Sequence, residues 1–267
     1  MLENDEIENT IFPLMTGERK ASNMVVEWMQ VMWAVRRELL LKNQMLVDDR
    51  VFNGEDFLCV CFCLLEAKSV MAIRQGGYHY IQRASSGVHQ MRTPSDKNLL
   101  QIKIWYQVLQ DQLEQKHASE KTREVCSQIV LAPAMLYDLD WLQKKFPGCL
   151  FPFPKVNSRA RIVVYGAGKF GYRLVQSLSK TKKCSVVLWV DQNQNLPAML
   201  GHTIRSRDAI LSADYDFVVV AIIDAAVSAE VKRSLILDGI PEKKIATMDA
   251  SAILEDMIPD ETVNLQT

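Results

Sequence analysis

After residue 158 the chain alternates short β-rich runs with helical stretches, and few folds accept that order. "RIVVYG" reads as a strand, "KFGYRLVQSLSK" as a helix and "CSVVLWVD" as a strand. "SRDAILSA" follows as a short helix, "YDFVVVAII" as a strand, "AAVSAEVKRSLILDG" as a helix and "KIATM" as a last strand. Such alternation predicts an α/β fold whose second part is a doubly wound parallel sheet covered on both faces. Right-handed crossovers then fix the hand of the layers.

The stretch "FPGCLFPFPKVNSRA" separates this part from the rest. Pro147, Pro152 and Pro154 cannot sit inside a helix, which puts a domain break near 150–158. Ahead of it the apolar spacing predicts a mostly helical part, with helices around Ala21–Arg37, Gly54–Lys68, Ser95–Gln115 and Glu120–Lys145. Ser95 and Asp96, after Pro94, make a helix start. "SVMAI" and "GYHYIQ" predict a short β-hairpin around Gly76 and Gly77. The expected division is 1–94, a helical extension 95–150, and 158–267.

Composition narrows the function classes. Net charge is -1, so nothing in the overall balance draws the chain to nucleic acid or anionic lipid. The acidic start "MLENDEIENT" lacks the order of a signal peptide, and no apolar run reaches the ~18 residues of a membrane span. There are six cysteines and no CxxC pair. Cys59, Cys61 and Cys63 alternate in an oily segment, which reads as buried free thiols of a reducing cytoplasm.

Gly166, Gly168 and Gly171 follow a predicted strand and open a predicted helix. In that context Gly166 permits a tight turn and Gly168 lets the backbone approach a pyrophosphate. Gly171 lets strand and helix pack closely. Lys169 and Phe170 lie within the turn, and the helix N-terminus offers unpaired N–H groups to phosphates. Asp191 ends the next strand, where an acid accepts hydrogen bonds from a ribose and disfavours a 2′-phosphate. The "YGAGKFG" turn and "VDQN" strand end resemble the small Rossmann-like domains of sugar-modifying and polysaccharide-building proteins, over roughly 160–250. In domains of that kind the ligand is NAD, a nucleotide-sugar or none that is known, so the resemblance leaves these three open. No Tyr-x-x-x-Lys pair and no substrate domain follow, which argues against a self-sufficient oxidoreductase; a partner-dependent NAD-linked one remains an alternative. Asp214 and Asp216 have the Asp-x-Asp form of a metal site, but they enter a strand at the end away from where α/β sheets collect ligands.

In the front half, Glu55 and Asp56 stand at the mouth of "FLCVCFCLLEAK". Asn53 can cap that helix, with both carboxylates stabilised by the positive helix end and Asp56 completing a capping box. A wider pattern points further. Trp33 to Leu40, Gly54-Glu55-Asp56, Ala67 to Val70 and Tyr78 to Ser86 together resemble the second half of a family-two glycosyltransferase of the GT-A fold, over about residues 30–90. That resemblance implies inverting transfer from a nucleotide-sugar to a glycan hydroxyl. Asp56 is then the base and Glu55 orients the acceptor. Arg83, with Ser85, Ser86 or His89, lies in the family's stretch near the donor diphosphate. His79 is a sheet residue rather than a ligand.

The family places its nucleotide-binding strands and metal-binding Asp-x-Asp ahead of this region, and here only about thirty residues precede the Trp33 helix. Asp138 and Asp140 come after the base and break the family's order. The expectation is therefore a glycosyltransferase-derived protein of surface polysaccharide synthesis that lacks its donor-binding half. It would need an upstream donor-binding chain and, with it, Mg2+ or Mn2+. The rival is a non-catalytic module that binds a dinucleotide or nucleotide-sugar. Either would be cytoplasmic, or peripheral at the inner membrane face.

Overall fold

The structure, a computed structural model, describes residues 1–3, 5–15, 32–51, 54–71, 73, 96–137, 139–193 and 195–257. The chain forms two compact units: residues 1–131 with the segment from 250 onward, and residues 132–249. The proline-rich stretch lies inside the second unit.

The first unit is mainly helical. Strand β1 (Leu2–Glu3) precedes α1 (Asp5–Met15), which buries Ile7, Ile11, Phe12 and Met15 along one side. α2 (Arg37–Gln44) packs on α3 (Glu55–Glu66). β2 (Ser69–Val70) pairs antiparallel with β1, Leu2 opposite Val70. α4 (Asp96–Gln115) follows, and α5 (Glu120–Tyr137) runs from this unit across its boundary. All eight residues from Phe57 to Leu64 on α3 are buried, as an oily helix without a polar stripe requires. Each large side chain among them stabilises the unit by about 1.5–3 kcal/mol. The last described segment, Ala250–Ala252 and the π-helical turn Ile253–Met257, is held to α4. Lys103 Nζ donates to the carbonyls of Leu254 (2.7 Å) and Glu255 (3.2 Å).

The second unit opens with α6 (Leu139–Lys145) and a hairpin of β3 (Cys149–Leu150) and β4 (Phe153–Asn157). Gln143 holds the hairpin tip, accepting from Phe151 N–H at 3.1 Å and donating to its carbonyl at 2.5 Å. Lys183 Nζ donates to the Gln143 and Phe146 carbonyls at the end of α6. Then come β5 (Arg161–Tyr165), α7 (Lys169–Thr181), β6 (Ser185–Val190), β7 (Ile204–Arg205), a 3-10 turn (Arg207–Ser212), β8 (Phe217–Val220), α8 (Ala225–Leu237), a second 3-10 turn (Glu242–Lys244) and β9 (Ile245–Ala246).

These five strands make one parallel sheet in the order β7-β6-β5-β8-β9. The chain winds outward from β5 through β6 to β7, then returns to the other side of β5 as β8. The order therefore reverses between β5 and β8, the place where open parallel sheets leave a crevice at their carboxyl ends. Val163 and Tyr165 pack in one cluster with Val231 and Leu235 of α8. Ile162 and Val164 alternate to the opposite face, and the buried side of α7 (Phe170, Leu174, Leu178) packs against β5 and β6.

The α/β class and the parallel sheet match the sequence reading. Two local expectations change, and a third falls mostly outside the described residues. The helix expected over Ala21–Arg37 lies outside the described residues up to 31; Trp33–Arg36 are not helical, and the helix starts at Arg37. The helix packs on α3: Asn43 is buried, and Cys63 Sγ approaches the Leu39 carbonyl at 3.9 Å. The single helix expected over Glu120–Lys145 is two, α5 and α6. Of the hairpin expected around Gly76 and Gly77, Ser69–Val70 is a strand paired with β1, and residues 74–95 lie outside the described residues.

Candidate functional site

The glycine turn joins β5 to α7 at the carboxyl end of the sheet. Gly166 has φ +107°, a conformation side chains avoid, and a Cβ there would press on the Ala221 carbonyl oxygen at 3.1 Å. A Cβ on Gly171 would lie 2.0 Å from the Gly166 carbonyl oxygen, so turn and helix close together only around a glycine. Gly168 differs. Its φ is -73°, and a Cβ there meets no protein atom within 4 Å. The protein leaves that space open.

Gly168 is the N-cap of α7 and no side chain caps the helix; its first turn carries no acidic residue. The amides of Lys169, Phe170 and Gly171 have no intrahelical acceptor by position, since the ladder begins with Tyr172 N–H donating to the Gly168 carbonyl at 2.9 Å. Beside this turn runs an open cleft of about 500 Å³, lined by Ala167, Gly168, Lys169, Tyr172, Arg173 and Met199. Lys169 and Arg173 are exposed and sit one turn apart on the helix, so the cleft wall carries two cations. Phe170 faces inward: it is buried and stacks on Phe153 with ring centroids 6.3 Å apart. It supports the turn rather than lining the cleft.

Asp191 stands at the end of β6 as expected, yet its carboxylate is engaged by the backbone. Oδ2 accepts from Ala167 N–H at 2.6 Å and Oδ1 from Asn193 N–H at 2.8 Å. Trp189, two residues earlier, is buried, and its Nε1 donates to the Gly166 carbonyl at 2.9 Å. The sequence alone announces none of these three bonds. The spacing of Trp189 and Asp191, one strand period apart and on one face, was the available signal.

Asp214 and Asp216 lie at the amino end of β8. Arg161 Nη1 and Nη2 reach the Asp214 carboxylate at 2.5 and 3.0 Å, and Arg161 N–H donates to Asp216 at 2.7 Å. The pair joins neighbouring strands. Asp140 pairs with Lys180 at 2.7 Å, and Asp138 lies outside the described residues. Among the described residues no group of three His, Cys, Asp or Glu side chains has metal-binding geometry. None of the six cysteines, all of them described, forms a disulfide; five are buried, and burial pushes the Cys61 thiol up.

In the first unit, α3 begins at Glu55 with Gly54 as its N-cap, not Asn53, and no side chain caps it. Asp56 is therefore the second helical residue, one short of a capping-box position. Gly54 is fixed by φ +87° and by the Trp105 indole, whose Cζ2 lies 2.2 Å from where a Cβ would be. Glu55 is exposed and Asp56 half-buried, directly ahead of the sealed run that starts at Phe57. Both carboxylates thus reach solvent at a helix mouth. Arg83, Ser85, Ser86 and His89, with His79, lie outside the described residues. A separate open depression of about 560 Å³, lined by residues such as Met45, Asp48, Asp49 and Asp111, contains none of the residues singled out by the sequence.

Residues 158–246, about a third of the chain, match the family described as "C2185-like, N-terminal". A comparison with curated proteins finds no match. No helix among the described residues is long and apolar enough to cross a membrane.

Proposed function

We propose that the second unit is a nucleotide-binding module, taking the diphosphate of NAD or of a nucleotide-sugar at the Gly166–Gly171 turn. The observation that carries this reading is Gly168. It is a glycine with an ordinary φ and empty space where a Cβ would go, beside three amides without intrahelical partners. Neither backbone strain nor packing accounts for it, whereas close approach of a phosphate does. Lys169 and Arg173 add charge-assisted donors at the cleft wall. Calorimetry on the whole chain with NAD, NADP and uridine-diphosphate sugars tests the reading. Heat with at least one ligand, lost in Gly168→Val, is expected. No heat with any of them ends it.

The second reading is descent of the first unit from a family-two glycosyltransferase. What favours it is the pair Glu55 and Asp56, exposed and half-buried at a helix start without a side-chain cap, directly ahead of eight buried residues, Phe57 to Leu64. In that reading Asp56 takes the proton of a glycan hydroxyl as its oxygen attacks the anomeric carbon, and a nucleoside diphosphate leaves. A carboxylate at the helix mouth, within reach of a bound hydroxyl, is the group type such a proton transfer requires. Glu55 orients the acceptor. Transfer assayed with a donor-binding partner chain and Mg2+ or Mn2+ present is expected to vanish in Asp56→Asn; retained transfer removes Asp56 from the chemistry. The two readings are compatible: one concerns the acceptor side, the other a nucleotide held elsewhere in the chain.

A further inference from the structure

The peptide between Gly166 and Ala167 is held at both of its polar ends. Its carbonyl accepts from Trp189 Nε1–H at 2.9 Å, and its N–H donates to Asp191 Oδ2 at 2.6 Å. The residue between these two, Val190, accepts from Gly166 N–H through its carbonyl at 2.8 Å. Three consecutive residues at the end of β6 therefore grip one turn of the neighbouring strand. The grip is itself braced. Asp191 N–H donates to the Arg205 carbonyl at 3.1 Å, and Asp191 Oδ1 holds Asn193 N–H. His202 meets the Trp189 ring edge-on at 6.2 Å, and its backbone is doubly bonded to that of Met199, which lines the cleft.

We propose that Trp189 and Asp191 are positioning residues: together they lock the orientation of the Gly166–Ala167 peptide, and Asp191 serves the turn rather than reading a ribose. The inference rests on the nucleotide-binding reading of the same site. A peptide next to a glycine at positive φ reorients at little steric cost. Reversal here would turn the Gly166 carbonyl away from the Trp189 donor and the Ala167 N–H away from the Asp191 carboxylate. Fixing both ends therefore presents the amides of the α7 first turn in one arrangement before any phosphate arrives, which lowers the ordering cost of binding. Each carboxylate oxygen of Asp191 accepts one backbone N–H group, so the turn sets the direction of the carboxylate and a ribose would have to share its remaining lone pairs; the proposal assigns the choice between a 2′-hydroxyl and a 2′-phosphate to other groups.

Three variants of the whole chain test this: Trp189→Phe, Asp191→Ala and Asp191→Asn. Affinities for NAD and NADP are measured by calorimetry, and the Ala167 amide is followed by nitrogen–proton correlation spectroscopy without ligand. In the wild type that amide is expected far downfield, as a short bond to a carboxylate requires. It should move upfield in Asp191→Ala and less in Asp191→Asn, whose amide oxygen still accepts. Trp189→Phe and Asp191→Ala should each weaken binding about tenfold, the scale of one lost hydrogen bond. Asp191→Asn should recover most of that loss. The ratio of NAD to NADP affinity should stay the same throughout. A ratio shifted tenfold towards NADP in Asp191→Asn overturns the proposal in favour of a ribose-reading acid. An Ala167 resonance that ignores Asp191→Ala overturns it without reference to any ligand. If that resonance responds as stated while the wild type binds no nucleotide, the clamp stands and the nucleotide reading falls.

Discussion

The carbonyl oxygen of Gly166 lies 2.0 Å from the position a Cβ on Gly171 would take. No side-chain carbon approaches a backbone oxygen that closely, so Gly171→Ala must push α7 away from the turn. The expected loss is about 1–3 kcal/mol or more, since the clash is with backbone. Gly168→Ala is the contrast. Its Cβ enters open space at an allowed φ, so the stiffer unfolded chain, worth about 0.4–1 kcal/mol, offsets the poorer N-cap that alanine makes, and stability should stay close to wild type. Urea unfolding of the two variants separates the packing glycine from the one that faces the cleft.

Gly54 and Asp56 should behave oppositely although they are neighbours. Gly54→Ala forces a side chain into φ +87° and into the Trp105 indole. That combines roughly 1–2 kcal/mol of backbone strain with roughly 1–3 kcal/mol of overpacking. Asp56→Asn gives up only its attraction to the helix end, about 0.3–1 kcal/mol. Thermal melts should show the first variant clearly destabilised and the second close to wild type, which makes Asp56→Asn a clean probe of chemistry.

Tyr106 predicts an alkaline transition in the first unit. Burial and the hydrogen bond its hydroxyl donates to Glu255 (2.6 Å) push its pKa up to about 12. The unfolded value is about 10, so the folded state holds its proton longer. The resulting stabilisation is complete below pH 10 and is lost as pH rises towards 12. Its size is on the order of 1–2 kcal/mol. Tyr106→Phe should flatten stability against pH in that window, measured by denaturation at fixed alkaline pH values.

Glu66 predicts an acid-side effect in the same unit. Burial pushes its carboxyl up, but hydrogen bonds from Lys116 and from Lys42 (2.8 Å) outweigh burial and hold it below the ordinary range. A depressed carboxyl stabilises above its unfolded pKa of about 4.3. The effect fades as pH falls through the lower folded value. Glu66→Gln should remove that part of the acid dependence, a change of about 1 kcal/mol because Lys42 is largely exposed. The residual difference should shrink further in high salt.

The second unit was largely legible in the sequence because a parallel sheet writes its strands as continuous Val and Ile runs. β5, β6 and β8 fall inside the runs that predicted them. β7 was missed, since Ile204–Arg205 contributes two residues and its place depends on pairing with Trp189 and Val190. The hairpin of β3 and β4 occupies the stretch that suggests a boundary, because its prolines end helices but do not prevent a short bent ladder. In the first unit, α1 buries Ile7, Ile11, Phe12 and Met15, a helical spacing that the acidic composition around it masked. At the candidate site the roles of Gly166 and Gly171 followed from their order after a strand. The occupation of Asp191 did not, because sequence spacing places an acid at a strand end without telling which donors surround it.

The turn also limits how this unit can be cut or borrowed. A peptide running only from Arg161 to Thr181 would carry every glycine of the motif and yet lack the indole and the carboxylate that secure it. An engineer moving the cassette into another scaffold would have to bring the segment through Asn193, with Arg205 alongside, or supply substitutes from the host.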